Sequence, residues 1–473
     1  MPYSTEVAGS AVQVEPGSFR DREGRVYYYE GSVYRGISDT AYLNWLELSR
    51  SAFFKQACQA GKLVVTEEVE SQPLRELTGS HWKALLKHEK IPYISYPYEW
   101  CFGMLKDAAL LQLELMDAAL ADDIILKDAT SFNLQWKGVK PVFIDIPSFE
   151  TLRDNEPWVG YRQFCQLFLY PLMLQAYKNV AFHNWLRGNI DGIEPADFHR
   201  LLSLSDYLKP GILPHVVLHS KLQASHADTE TTLKAGIQDA GFNKSLIQAN
   251  VRKLRQLVEK LQWNQTQSEW ARYTQQHSYT DADMQAKEDF VRRSAHRSPR
   301  RLSWDLGANT GKFSRIAAEN SEYVLAMDLD HLAVEYMYQA LQKEGVRNIL
   351  PLVMNMAQPS PNLGWQGKER KNLSERDKPD FTLCLALIHH LVISANIQVS
   401  EFIEWLASLG TSVVIEFVTK QDPMVKKLLR NKRDHYADYE EEFFEVTLAS
   451  HFQIVEKQTL QSGTRILYYA EPR

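Results

Sequence analysis

Apolar positions in the second half of the chain fall in short unbroken runs separated by longer amphipathic stretches. Leu302–Leu306, Tyr323–Met327, Ile349–Met354, Phe381–Leu387 and Val413–Phe417 are such runs, and Phe452–Lys457 with Arg465–Ala470 closes the series. Short runs bounded by turn residues read as buried strands. Helical stretches separate most of them, so the spacing predicts a doubly wound parallel sheet with an antiparallel strand at its end. The first half is patterned differently. Two β-rich runs between Arg25 and Ile37 meet at Glu30-Gly31 and predict a hairpin. Residues 40–60 and 100–121 carry helical periodicity, and residues 158–185 form an aromatic helical stripe that reads as core rather than cofactor box. Residues 244–262 repeat apolar side chains at helical spacing and read as a long amphipathic connector. The chain therefore divides into a loose segment 1–24, an α+β domain over 25–215, a helical connector over 216–278 and an α/β domain over 279–473.

Within the α/β domain, the first strand breaks at Asp305-x-Gly307-x-Asn309-x-Gly311 and resumes as a helix from about Lys312. The second strand ends in Asp328, an acid 21 residues after Gly307, where a ribose hydroxyl needs an acceptor. A dinucleotide fingerprint requires G-x-G-x-x-G, which is not present. A P-loop requires four residues between its glycines and then Lys-Ser or Lys-Thr; here Gly307 and Gly311 enclose three residues, and Phe313 follows Lys312. What remains resembles motif I of class I S-adenosylmethionine (AdoMet) methyltransferases, whose sheet is Rossmann-like. Asn309 stands where that motif has its middle glycine, and asparagine enters left-handed backbone conformations at low cost.

Ligands of such sheets bind beyond the carboxyl ends of the strands. Asp305, Gly307, Asn309 and Gly311 are accordingly expected beside the methionine portion of AdoMet, and Asp328 at its ribose. The amide of Asn355 is expected at the adenine amino group, with Met356 on the adenine face. His389 and His390 follow the fourth run and Glu416 lies at the end of the fifth, so these three are the candidate catalytic groups that orient or deprotonate a methyl acceptor. The polar stretch Gly364–Lys378 is expected to form a lid, with Trp365 and Arg370 touching the acceptor. Methyl transfer asks mainly for alignment, which can supply about 7–11 kcal/mol. Residues 304–312, Asn355–Arg370, Leu385–Leu391 and Ile415–Met424 together resemble a bacterial family related to a rhizobial host-specific nodulation protein and described as AdoMet-dependent methyltransferases. The resemblance runs from about residue 20 to the end and implies AdoMet as cofactor without supplying an acceptor.

Composition narrows the setting. A hydrophobic content of 44%, a charged content of 24% and a net charge of −6 are those of a soluble globular protein. They argue for a small-molecule acceptor over nucleic acid. The basic runs Arg292–Arg301 and Lys426–Arg433 read as solvated helix ends or loops. No apolar run reaches membrane-spanning length, so no membrane partner is expected. The four cysteines, Cys58, Cys101, Cys165 and Cys384, have no metal or disulfide spacing, and a reducing cytoplasm is the expected location. In the amino-terminal domain, Asp128, Asn133 and Asp145 resemble the catalytic loop and metal-binding Asp of kinase-like phosphotransferases. No glycine-rich phosphate loop or lysine–glutamate pair accompanies them, which favours a kinase-like scaffold. Two other readings stay open: a non-catalytic AdoMet- or nucleotide-binding regulator, and a bifunctional enzyme with amino-terminal phosphotransfer.

Overall fold

The computed structural model describes residues 12–70, 78, 81–153, 156–218, 244–265, 279–430, 432 and 435–473. The amino-terminal part opens with strands β1 (Gln13–Val14), β2 (Gly24–Tyr29), β3 (Ser32–Ile37), β4 (Thr66–Val69) and β5 (Ala84–His88), which form an antiparallel sheet in the order β1-β2-β3-β5-β4. The β2–β3 hairpin turns on Glu30 and Gly31, both with positive φ, the two-residue turn that matches strand twist. Helices α1 (Asp39–Arg50) and α2 (Ala52–Gln59) join β3 to β4, and α3 (Phe102–Ala121) follows β5. Met104, Leu105, Ala108, Leu113 and Met116 of α3 are all buried, as expected of a helix enclosed by its domain. Strand β6 (Ile124–Leu126) pairs with β9 (Phe149–Thr151) around the hairpin β7 (Leu134–Lys137) and β8 (Lys140–Phe143).

Helix α4 (Lys244–Lys260) lies along α3 and buries Ile247, Val251, Leu254 and Val258 on one face. Lys106 in α3 donates to the carbonyls of Glu259 and Leu261, each at 2.9 Å. The amphipathic stretch expected as a connector is thus packed on the amino-terminal core, while residues 219–243 and 266–278 of that span lie outside the described residues.

The carboxy-terminal sheet contains β10 (Arg300–Leu306), β11 (Ser321–Asp328), β12 (Ile349–Val353), β13 (Phe381–Cys384), β14 (Ser412–Val418), β15 (Phe452–Thr459) and β16 (Arg465–Pro472). Its order is β12-β11-β10-β13-β14-β16-β15, parallel through β14 and antiparallel in the last two strands. Successive strands leave β10 on one side and return on the other, which opens a crevice at its carboxyl end. Helices α5 (Asp281–Ala295), α6 (Lys312–Ala318), α7 (His331–Glu344) and α8 (Val399–Ser408) accompany the sheet. Two strand ends differ from expectation. β13 stops at Cys384, because Ala386 adopts a φ of 51° and turns the chain. β14 continues to Val418, so Glu416 lies inside the strand.

The two parts share an extensive polar and apolar contact. The backbone N–H of Gly103 donates to Glu335 at 2.8 Å, and Tyr338 OH donates to Asp107 at 2.6 Å. Gly138, at the β7–β8 turn, donates to Tyr323 OH at 3.0 Å; a Cβ there would lie 2.4 Å from the carbonyl oxygen of Arg347 and require a left-handed φ, so glycine is needed. Further along, Arg20 binds both oxygens of Glu369 at 2.7 Å, Lys371 pairs with Glu15 at 2.7 Å, and Arg376 pairs with Glu99 at 2.7 and 2.8 Å. Gly364–Lys378 is therefore fastened to the amino-terminal domain, not laid over the crevice as a lid. Among the described residues no helix is long and apolar enough to cross a membrane.

Candidate cofactor and acceptor site

A cavity of about 520 Å³ opens in the crevice above β10, β11, β12 and β13, within the roughly 300–1,000 Å³ range of small-ligand sites. The turn after β10 forms one wall. Gly307 has a φ of 79°, Asn309 of 50° and Gly311 of 80°, so the asparagine takes the left-handed conformation that the sequence requires of it. A Cβ on Gly311 would lie 2.5 Å from the sulfur of Met337, which closes that position to other residues. Turn and acid are joined directly: the backbone N–H of Asn309 donates to Asp328 Oδ2 at 2.7 Å, and that of Asp330 to Oδ1 at 2.8 Å. Burial pushes the Asp328 carboxyl up to about 6, partly offset by these backbone donors. Asp305 lies beneath the turn, accepts a 2.6 Å bond from Ser314 Oγ, and is also raised to about 6 by burial.

Asn355 and Met356 line the cavity beyond β12, together with Met354 and Ala357. Asn355 Oδ1 accepts from the Ala357 N–H at 2.9 Å, which fixes the side chain and leaves its NH2 group as the available donor. The chain's residues fit AdoMet: small and left-handed at the turn, a carboxylate that forms no ion pair among the described residues for ribose hydroxyls, an amide and an apolar wall for adenine. Asp305, Gly307, Asn309, Asp328, Asn355 and Met356 all line the one cavity. Gly311 supports it from below the turn.

The candidate catalytic groups separate. His390 lines the cavity, and burial, followed by the charge of Arg465, lowers its imidazole to about 4. His389 turns inward, is 0% exposed, and has no hydrogen-bond partner on either ring nitrogen. Burial holds it well below the ordinary histidine range, so it is a neutral core residue and not a catalytic one. Glu416 does not line the cavity but lies behind Tyr279 and Lys287, which do. It is fully buried and bound by Lys287 at 2.6 Å, Tyr279 OH at 2.6 Å and Arg465 at 3.2 Å. Burial alone would raise its carboxyl, but Lys287 and Arg465 outweigh that and hold it down to about 2. A carboxylate so occupied is a structural anchor rather than a base. Asp422 completes the network through Arg465 at 2.8 Å.

Neither expected acceptor contact reaches the cavity. Trp365 is 63% exposed on a short turn. The Arg370 guanidinium stacks 3.9 Å from the ring centre of Phe132 in the amino-terminal domain. Tyr279, Met284, Lys287, Phe313 and Ser394 do line the cavity and were missed. Met284 and Lys287 share one face of α5 at i and i+3, a spacing that could have drawn attention to them.

In the amino-terminal domain, Asn133 Nδ2 donates to Ser148 Oγ at 3.0 Å, and Ser148 in turn donates to Asp145. Arg35 of β3 pairs with Asp145 at 2.7 Å. Asp128 is raised by burial and then by the charge of Asp145. The three residues gather, but Asp145 and Asn133 are committed to protein partners.

A doubly wound seven-stranded sheet with an antiparallel terminal hairpin, a left-handed glycine turn after its first strand and an acid ending the second defines the class I AdoMet-dependent methyltransferase fold. No family model matches the chain. It belongs to the family of the nodulation protein NoeA: it is 33% identical to NoeA of Rhizobium meliloti (strain 1021) over 458 residues, 96% of this chain and 95% of the relative. Solved structures similar to it include the N-methyltransferase NodS of Bradyrhizobium japonicum WM9 in complex with S-adenosyl-L-homocysteine (10% identical, TM-score 0.31, 44% of this chain and 100% of that one). Another is the magnesium protoporphyrin IX methyltransferase ChlM of Synechocystis PCC 6803 (18% identical, TM-score 0.32, 43% of this chain and 93% of that one). Likenesses of this size carry nothing about activity or acceptor.

Proposed function

We propose that this protein is an AdoMet-dependent methyltransferase acting on an oxygen or nitrogen of a small metabolite or natural-product intermediate. The observation that carries the reading is the bond between the left-handed turn and the acid, Asn309 N–H to Asp328, which presents a carboxylate to a cavity of ligand size. When bound, AdoMet supplies a methyl group activated by its sulfonium. The chain's own residues then hold and orient. Asp328 would accept from the ribose hydroxyls, Asn355 would donate to adenine, and the backbone at Gly307 would lie against the methionine portion. His390, which lines the cavity and is neutral above about pH 4, would take up the proton of an acceptor O–H or N–H.

The amino-terminal domain is read as a kinase-like scaffold rather than a phosphotransferase, because Arg35 and Ser148 occupy Asp145. Calorimetric titration with S-adenosylhomocysteine tests the cofactor assignment. Gly307→Val places a side chain in the cavity at a left-handed position, and Asp328→Ala removes a charged acceptor worth about 1.5–3 kcal/mol; each should weaken binding tenfold or more. Unchanged affinity in both variants would sink the assignment.

A further inference from the structure

The cavity has two ends, and only one of them is built by the carboxy-terminal domain alone. Toward Tyr279, Lys287 and His390, supporting contacts come from α5, β14 and β16. Toward the adenine wall, Met354 to Ala357, the next residues are held from the other domain. Arg187, on the short helix His183–Gly188, donates to the carbonyls of Gln358 at 3.3 Å and Pro359 at 2.9 Å. Ser360 donates to Glu99, which is buried and paired with Arg376, and also approaches the sulfur of Met354 at 3.6 Å. The loop carrying Asp328 is flanked in the same way. His331, three residues on, meets the ring of His183 at 4.1 Å between centroids, and His183 is itself fixed by a 2.8 Å bond to the carbonyl of Trp100.

We infer that the amino-terminal domain is a working part of the cofactor site: Arg187 and Glu99 are positioning residues that hold the adenosine-binding wall in its ligand-ready shape. The physical reason lies in the wall itself. Residues 354–360 leave β12 as an irregular loop tied to its own domain at its two ends, where Met354 N–H donates to the Asp328 carbonyl at 2.8 Å and Leu373 N–H to that of Ser360 at 3.2 Å; between them the N–H groups of Ala357 and Gln358 donate to Asn355 and shape one turn. Without outside donors, the carbonyls of Gln358 and Pro359 would be free to sample many arrangements, and each binding event would have to order them at an entropic cost. Arg187 is suited to the task because its planar fork reaches two carbonyls at once. The consequence is that cofactor affinity responds to residues that never touch the cofactor.

This inference rests on the AdoMet reading above, and the experiment separates the two. S-adenosylhomocysteine is titrated calorimetrically into the full-length wild type, Arg187→Ala, Arg187→Lys and Ser360→Ala, with hydrogen exchange followed over residues 354–360. Arg187→Ala should weaken binding by about five- to tenfold, the loss of one or two hydrogen bonds, and speed exchange across the wall in the free protein. Arg187→Lys should recover part of the affinity, since one donor is restored. Ser360→Ala should weaken binding in the same direction without disturbing the Glu99–Arg376 pair. Melting temperatures within a degree or two of wild type would confirm that the fold is intact. Wild-type affinity and wild-type exchange in Arg187→Ala and Ser360→Ala would overturn the inference while leaving the cofactor site standing. No binding by the wild type would instead remove the AdoMet reading, and this inference with it.

Discussion

Two groups of buried carboxylates lie within one domain and behave in opposite ways. At the cavity, Asp305 and Asp328 are each bound by hydrogen-bond donors, and burial outweighs these and the charge of Lys287 near Asp305, raising both to about 6. Under the cavity, Glu416 is at least as deeply enclosed, yet Lys287 and Arg465 hold it down to about 2. Burial is common to both, so the partner decides the outcome. The lower group is a closed ionic unit of Glu416, Lys287, Arg465 and Asp422 that ties α5, β14 and β16 together. The upper pair forms no ion pair among the described residues, and its charge is costly to bury, a pattern expected of ligand sites more than of scaffolds.

The sharpest way to break this contrast is to remove one cation from the closed unit. Lys287→Met leaves Glu416 with Arg465 alone, and breaking a buried pair in this way costs about 3–5 kcal/mol. The melting temperature should fall by roughly 10 °C; a wild-type melting curve would mean that the unit contributes nothing to stability. Next in size, His390→Asn should lower turnover on the true acceptor by about 10² while S-adenosylhomocysteine affinity stays within about twofold of wild type. Equal turnover in both proteins would return His390 to the same structural role as His389.

Asp328→Asn turns the contrast into a change of sign. It should weaken S-adenosylhomocysteine about tenfold yet leave the empty protein no less stable at pH 7.5, since a costly buried charge has been removed. A lower melting temperature in that variant would show that Asp328 is held as firmly as Glu416.

The smallest and most continuous effect is that of pH. The folded values of Asp305 and Asp328, about 6, stand above the ordinary 3.8, so their ionisation costs stability above pH 6. That cost is relieved as pH falls through about 6 toward 4. Glu416 runs the other way: its folded value is depressed from 4.5, so its contribution is present above that value and lost as pH falls toward 2. Cofactor affinity should decline as Asp328 protonates near pH 6, and Asp328→Asn should flatten that decline. A decline in affinity that persists unchanged in the variant would assign it to another group.

The sheet was largely legible because a parallel strand buried on both faces has to be a continuous apolar run. The turn was legible for a related reason. Few residues tolerate a left-handed φ, so Gly307, Asn309 and Gly311 advertise their geometry. The charges were not legible. Glu416 followed an apolar run and read as a strand-end acid, but β14 continues two residues further, and its partners Lys287 and Arg465 lie 129 and 49 residues away. His389 and His390 are chemically identical neighbours at a strand-to-helix turn, and only the direction of that turn sends one to the core and the other to the cavity. Gly364–Lys378 read as a lid because it is long and polar. Glu369, Lys371 and Arg376 instead meet Arg20, Glu15 and Glu99, a pairing that no local pattern announces.

The bidentate pair of Arg20 with Glu369 joins positions 349 residues apart in sequence. On a ribosome, the amino-terminal domain emerges well before its fastener exists, since nearly half of the second domain must be synthesised first. Domains generally fold in order of emergence, and contacts of such separation form late because the intervening chain must be closed first. The clasp at Glu15, Arg20 and Glu99 can therefore close only after Glu369, Lys371 and Arg376 have been made. Until then Phe132 lacks the Arg370 guanidinium that lies over its ring.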